Sequence, residues 1–141
     1  MKISEISADF AVSPQISPAD LVELKKAGFR SVICNRPDGE GPGQPSFEQI
    51  RTAAEVAGVE VRYVPVKSGE ITEQNLDAFG LAMDELPSPV LAYCLSGKRA
   101  AILWALNEAP NMLVSDIISL ISKAGYDIAA LKPWLEKRSK H

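Results

Sequence analysis

The stretch VLAYCLSGKRAAILWAL, residues 90–106, constrains the fold more than any other part of the chain. Residues 90–93 are an apolar run of strand length. The run leads straight into Cys94, and helix is expected to resume at about Lys98, just after Gly97. A buried strand that feeds a tight loop and then a helix is half of a β-α-β unit. Such units build sheets of mainly parallel strands covered by helices.

The rest of the chain repeats the alternation. Residues 3–6 and 10–12 predict two short strands. Ser17 is a candidate N-cap with Pro18 in the first turn, and Ala27-Gly28 ends that helix. Residues 29–34 (FRSVIC) read as a buried strand, and 35–43 have loop composition throughout. Ser46 caps a helix over about 47–57. Residues 59–66 (VEVRYVPV) alternate as a strand, with Pro65 near an edge or a bend. Thr72 caps a helix running to about Leu86, with Pro87 just beyond. Further helices are expected over 98–108, over 112–124, and from an Asp127 cap through 135. The fold class is therefore α/β, a mainly parallel central sheet flanked by helices. Ligands of such sheets sit at the carboxyl ends of the strands. Cys94 lies at one such end, and Cys34 and Asn35 at another.

A length of 141 residues predicts one domain spanning 1–141. The net charge of −3 argues against a broad nucleic-acid surface, which needs a basic face. No apolar run reaches the ~20 residues that span a bilayer, and no signal peptide is evident, so no membrane partner is expected. Two cysteines are too few for a disulfide framework, and a cytoplasmic location is the expectation. The only histidine, His141, is the last residue. A Ser-His-Asp triad, a Cys-His pair or a multi-histidine zinc site would need one inside the fold. Neither a metal nor an organic cofactor is implied.

Chemistry concentrates in the loop Cys94-Leu95-Ser96-Gly97-Lys98-Arg99. Backbone N–H groups at a helix start converge on an anion. Gly97 permits a positive φ or a close backbone approach. Arg99 can turn back and grip an oxyanion with two N–H groups. The helix dipole, the N–H groups and the cations Lys98 and Arg99 all favour thiolate over thiol at Cys94. Cys94 is thus a candidate nucleophile and part of an anion pocket. Leu95, Ser96, Gly97 and Lys98 are the candidate anion-binding residues, with Arg99 the candidate catalytic cation. On the loop after residue 34, Arg36 adds charge to the pocket and Asp38 orients Arg99. Alternatively, Asp38 makes a turn with Gly39 and Arg36 is solvated.

With these residues in view, the segment SADFAVSPQISPADLVELKKAGFRSVICNRPDGE and the later VLAYCLSGKRA resemble the phosphatase-like domain of beta-lactamase hydrolase-like proteins. Members of that family are also described as sulfur transferases. The resemblance runs from Ile3 to about Leu131 and implies a fold like that of the dual-specificity protein phosphatases. It also suggests that the Cys34 strand neighbours the Cys94 strand. Cys34 would then be a candidate resolving thiol for an oxidised Cys94; the alternative is a small core residue.

The resemblance leaves the chemistry open. Cysteine phosphatases carry a loop one residue longer, usually followed by a hydroxyl residue. Four residues separate Cys94 from Arg99, a length similar to rhodanese-type sulfurtransferase loops, and Ala100 follows. The aspartate general acid of the phosphatases has no counterpart after the 59–66 strand, where Glu70 is the nearest carboxylate. These departures favour sulfur transfer through a Cys94 persulfide, with a small sulfur-containing anion, persulfide or thiol as partner. The alternative is a phosphatase of narrow activity acting on a phosphorylated substrate, with Glu70 or Asp38 as its acid. A non-catalytic anion-binding or redox-sensing module is the third expectation. With no other domain attached, protein partners would be separate chains.

Overall fold

A computed structural model describes residues 1–140; His141 lies outside them. The five strands are β1 (Ser4–Ser7), β2 (Phe10–Ser13), β3 (Ser31–Cys34), β4 (Glu60–Tyr63) and β5 (Val90–Tyr93). They form one sheet in the order β1-β2-β5-β3-β4. β1 pairs antiparallel with β2, and the other pairings are parallel. The six helices are α1 (Asp20–Lys26), α2 (Phe47–Ala57), α3 (Glu73–Glu85), α4 (Lys98–Glu108), α5 (Val114–Lys123) and α6 (Lys132–Arg138).

The central strand β5 is apolar on both faces because both are covered, as in parallel sheets generally. Its side chains alternate between two cores. Val90 and Ala92 join Phe79 of α3, Leu103 of α4, Ile117 of α5 and Leu135 of α6. Leu91 and Tyr93 join Leu21 and Leu24 of α1 and Ile50 and Ala54 of α2. Helix α4 lies deep in the first layer, with Ala100, Ala101, Leu103, Trp104, Ala105 and Leu106 all buried. A helix apolar around most of its circumference is an interior helix.

Most boundaries follow local chemistry. Ser46 and Thr72 each cap a helix through a reciprocal box with Gln49 and Asn75. Three expectations need correction. The Ser17 side chain caps nothing: the Ser17 backbone N–H donates to the Asp20 carboxylate at 2.8 Å, residues 18–19 form a turn, and α1 starts at Asp20. The 59–66 strand is shorter, Glu60–Tyr63, although the Val64 and Val66 N–H groups still donate to the Cys34 and Asn35 carbonyls. The Asp127 carboxylate accepts the Ala129 N–H, but it introduces a 3-10 turn at Ala129–Leu131, and α6 runs on to Arg138. Among the described residues no helix is long and apolar enough to cross a bilayer.

Candidate active site

The carboxyl ends of β3 and β5 adjoin, because Cys34 pairs in register with Tyr93. Cys94 therefore emerges at the middle of the sheet, fully buried. Gly97 has φ 94°, the left-handed region open to glycine, and this turns the chain into α4. The same turn aims the Gly97 N–H at the Cys94 Sγ, 3.1 Å away. The sulfur thus sits at the positive end of α4 with a backbone donor on it.

Two remote residues fix the loop. The Gln15 N–H donates to the Leu95 carbonyl at 3.2 Å. The Tyr126 hydroxyl donates to the Ser96 carbonyl at 3.0 Å. The Ser96 hydroxyl accepts the Lys98 N–H, while Leu95, Ser96 and Lys98 expose their side chains.

Arg99 is nearly buried and held by three acceptors. Nη1 and Nη2 donate to the two Glu40 oxygens at 2.9 and 3.0 Å, and Nη1 also donates to the Val66 carbonyl at 2.7 Å. Burial opposes the Arg99 charge; the Glu40 hydrogen bond and the Cys94 charge outweigh it and raise the Arg99 pKa. Glu40 also accepts Arg36 Nε at 3.0 Å, and Arg36 Nη1 reaches the Gln15 side-chain oxygen at 3.1 Å. The Arg99 hydrogen bond first, then that of Arg36, holds the Glu40 carboxyl below the usual carboxylate range against its desolvation.

This geometry corrects two assignments. Asp38 does not orient Arg99: its carboxylate accepts the Phe47 N–H at the start of α2, and its own N–H donates to the Tyr63 hydroxyl. Glu40, which the sequence did not single out, takes that place. Its available signal was an acidic side chain four residues after Arg36 on a loop at a strand end. Arg36 is not solvated but joins the same cluster.

Cys34 lies across the sheet from Cys94. It packs in the α1–α2 core, whereas Cys94 packs in the α3–α6 core, and both are free thiols. The Cys34 thiol donates to the Arg36 carbonyl at 3.3 Å, and burial pushes its pKa up despite hydrogen bonds that lower it. The two cysteines pack in different cores and form no disulfide. Asn35, fully buried beside them, donates its side-chain amide to the Val64 carbonyl.

A cleft of about 460 Å³ opens beside the loop, lined by Leu95, Ser96, Lys98 and Arg99 on one side. Ser68, Gly69, Ile71, Ile102, Leu131 and Trp134 complete it. Glu70 is exposed and does not line it. Among the described residues no group of three or more His, Cys, Asp or Glu side chains is placed to hold a metal ion.

The mainly parallel sheet flanked by helices is the fold of known cysteine phosphatases. Residues 2–111 match the family described as beta-lactamase hydrolase-like protein, phosphatase-like domain, and the chain belongs to that family. It is 39% identical over 99% of its length to a beta-lactamase hydrolase-like protein of Agrobacterium fabrum, and 35% identical to one from Xylella fastidiosa. The chain spans 33% of the length of each of these curated relatives. A crystal structure of a candidate phosphatase from Neisseria meningitidis is 33% identical, with a TM-score of 0.87 over 98% of this chain and 99% of that one. The core catalytic domain of the S. cerevisiae PP-IP phosphatase SIW14, in complex with citrate, shares the fold at 17% identity and a TM-score of 0.66. That match covers 95% of this chain and 83% of that one.

Proposed function

We propose that the chain is a cysteine-dependent hydrolase of the phosphatase type, working through a covalent adduct on Cys94. The observation that carries this reading is the Cys94 sulfur, held at the α4 N-terminus by the Gly97 N–H at 3.1 Å with Arg99 in the first turn. The likeness to a candidate phosphatase over nearly the whole of both chains supports it.

In this reading the Cys94 thiolate attacks phosphorus, and the bond to the leaving oxygen breaks with its electron pair going to that oxygen. Water then cleaves the sulfur–phosphorus bond, releasing phosphate and regenerating the thiolate. The N–H groups of residues 95–99 and the Arg99 guanidinium bind the phosphoryl oxygens. Lys98 adds charge at the rim. Arg36 and Glu40 position Arg99. Among the described residues no carboxylate lines the cleft; without the ~10²–10⁴-fold contribution of a general acid, substrates whose leaving group departs unaided are turned over best. Turnover of an aryl phosphate is expected in the wild type and absent in Cys94→Ser. Arg99→Lys is expected to lower kcat about a hundredfold, because an ammonium cannot reproduce the guanidinium fork. A Cys94→Ser protein as active as the wild type would refute the reading.

A second reading is sulfur transfer. The specific observations favouring it are the four-residue loop and the buried Ala100, which supplies no hydroxyl to help cleave a cysteinyl phosphate. Here the Cys94 thiolate attacks the outer sulfur of thiosulfate, the sulfur–sulfur bond breaks, and sulfite leaves with the electron pair. The persulfide then passes its outer sulfur to a thiolate or cyanide. Intact mass after thiosulfate treatment separates the two: gain of one sulfur on wild type but not on Cys94→Ser, without aryl phosphate turnover, favours this route. If neither transfer occurs, a non-catalytic anion-binding or redox-sensing role remains, visible as partner binding that responds to oxidant.

A further inference from the structure

The cleft continues the Cys94 loop, since Leu95, Ser96, Lys98 and Arg99 belong to both. Cys94 itself is fully buried and does not line the cleft, so the cleft is placed to take the group bonded to an anion on the loop rather than the anion itself. Its walls are Ile71, Ile102, Leu131, Trp134 and the exposed Leu95. Besides the two cations, its polar side chains are the hydroxyls of Ser68 and Ser96, and among the described residues no side-chain amide or carboxylate lines it. A sugar, inositol or nucleoside would turn its hydroxyls and ring nitrogens toward hydrocarbon, which costs free energy for each unpaired group. A second phosphate would meet only Lys98, because the Arg99 donors that Glu40 and Val66 leave over, Nε and one Nη2 hydrogen, are taken by the phosphoryl group seated on the loop. The volume, about 460 Å³, suits a fused ring system.

A second observation points the same way. With no carboxylate in the cleft, the leaving oxygen departs without a proton from the protein. An alkoxide does this poorly. A phenolate does it far better, because its conjugate acid has a pKa of about 10.

We propose that the substrate is a phosphate monoester of an apolar phenol, and that Trp134 and Leu131 form the wall that selects it. The proposal rests on the phosphatase reading. Both wall residues lie beyond the 2–111 segment that defines the family match, in the 3-10 turn and α6. Specificity is thus set by a part of the chain separate from the loop that does the chemistry. Trp134 offers a large aromatic face or edge to the leaving ring. On attack by Cys94 the bond between phosphorus and the aryl oxygen breaks, and the aryloxide leaves with the electron pair into this cleft.

The test compares naphthyl phosphate with acetyl phosphate, which has a good leaving group but no ring. The ratio of their kcat/KM values is expected to fall about tenfold in Trp134→Ala and to recover in large part in Trp134→Phe. Leu131→Gln, which makes the same wall polar, should lower the ratio in the same direction. An unchanged ratio in all three variants overturns the proposal. Binding separates it from the phosphatase reading. Cys94→Ser is titrated with naphthylmethylphosphonate and with methylphosphonate. Tighter binding of the naphthyl compound, lost on adding Trp134→Ala, supports the cleft assignment even if the wild type hydrolyses no phosphate ester. Equal binding of the two phosphonates, where the wild type does hydrolyse phosphate esters, removes the cleft assignment alone.

Discussion

Two arginines, each more than nine-tenths buried, meet at one carboxylate. Arg36 is 7% and Arg99 8% exposed, and Glu40 is bonded to both. The cluster has one positive charge in excess, so the region of the Cys94 loop is electropositive on a chain of net charge −3. Glu40→Gln keeps the shape and removes the compensating charge. Breaking a partly buried pair leaves guanidinium groups short of a counter-ion, so a loss of about 1–3 kcal/mol is expected in urea denaturation. Arg99 also loses its bidentate anchor, and kcat is expected to fall about tenfold or more with protein still folded. The pH dependence has a definite sign. The Glu40 pKa is lowered on folding from its ordinary 4.5, so its contribution to stability is complete above that value. It is lost as pH falls from there through the lowered value. Glu40→Gln should lack this component of acid destabilisation, and parallel acid titrations of the two proteins would refute the assignment.

At the scale of elements, the turn from β5 into α4 is one unit held from outside. A Cβ on Gly97 would lie 2.3 Å from the Tyr126 hydroxyl and 3.3 Å from the Ser13 backbone carbon, at a φ of 94°. Gly97→Ala therefore combines left-handed strain with a collision and is expected to cost about 2–4 kcal/mol. In Gly97→Ala/Tyr126→Phe the hydroxyl is gone, so the double variant should be less destabilised than the sum of the single changes. Additive losses in a double-mutant cycle by thermal or urea unfolding would show that the two do not meet. Residues 90–108 were legible in the sequence because each boundary is set by adjacent residues: an apolar run, a glycine, then helix formers. The capping boxes at Ser46 and Thr72 were legible for the same reason. Ser17 misled because the Asp20 N–H, which a capping hydroxyl would accept, donates to the Ser17 carbonyl instead. Glu40 and Tyr126 reach the loop across 59 and 30 residues. No local pattern encodes such contacts; the sheet order creates them.

At the scale of the molecule, the Cys94 loop and the cleft belong to the same helical layer. Helices α3 to α6 share one core, and α4 carries the anion loop at its start. Helix α6 closes that layer. Leu135 is fully buried in it, and Arg138 donates to the Leu106 carbonyl of α4 and to Glu73 at the start of α3. The side chain next to Leu135 is Trp134, on the cleft. Leu135→Ala removes buried hydrocarbon beneath a seven-residue helix, at an expected cost of about 2–4 kcal/mol. So short a helix has little stability of its own and depends on this packing. Loosening should therefore be felt first in α6 and only afterwards in β5, the most enclosed strand. Amide exchange is expected to accelerate in 132–138 by a larger factor than in 90–93. The same change should weaken naphthylmethylphosphonate binding more than methylphosphonate binding, because it disturbs the wall and leaves the Cys94 loop in place. Equal acceleration across both segments would mean that α6 opens only with the whole fold, and the cleft would then be as rigid as the site it serves.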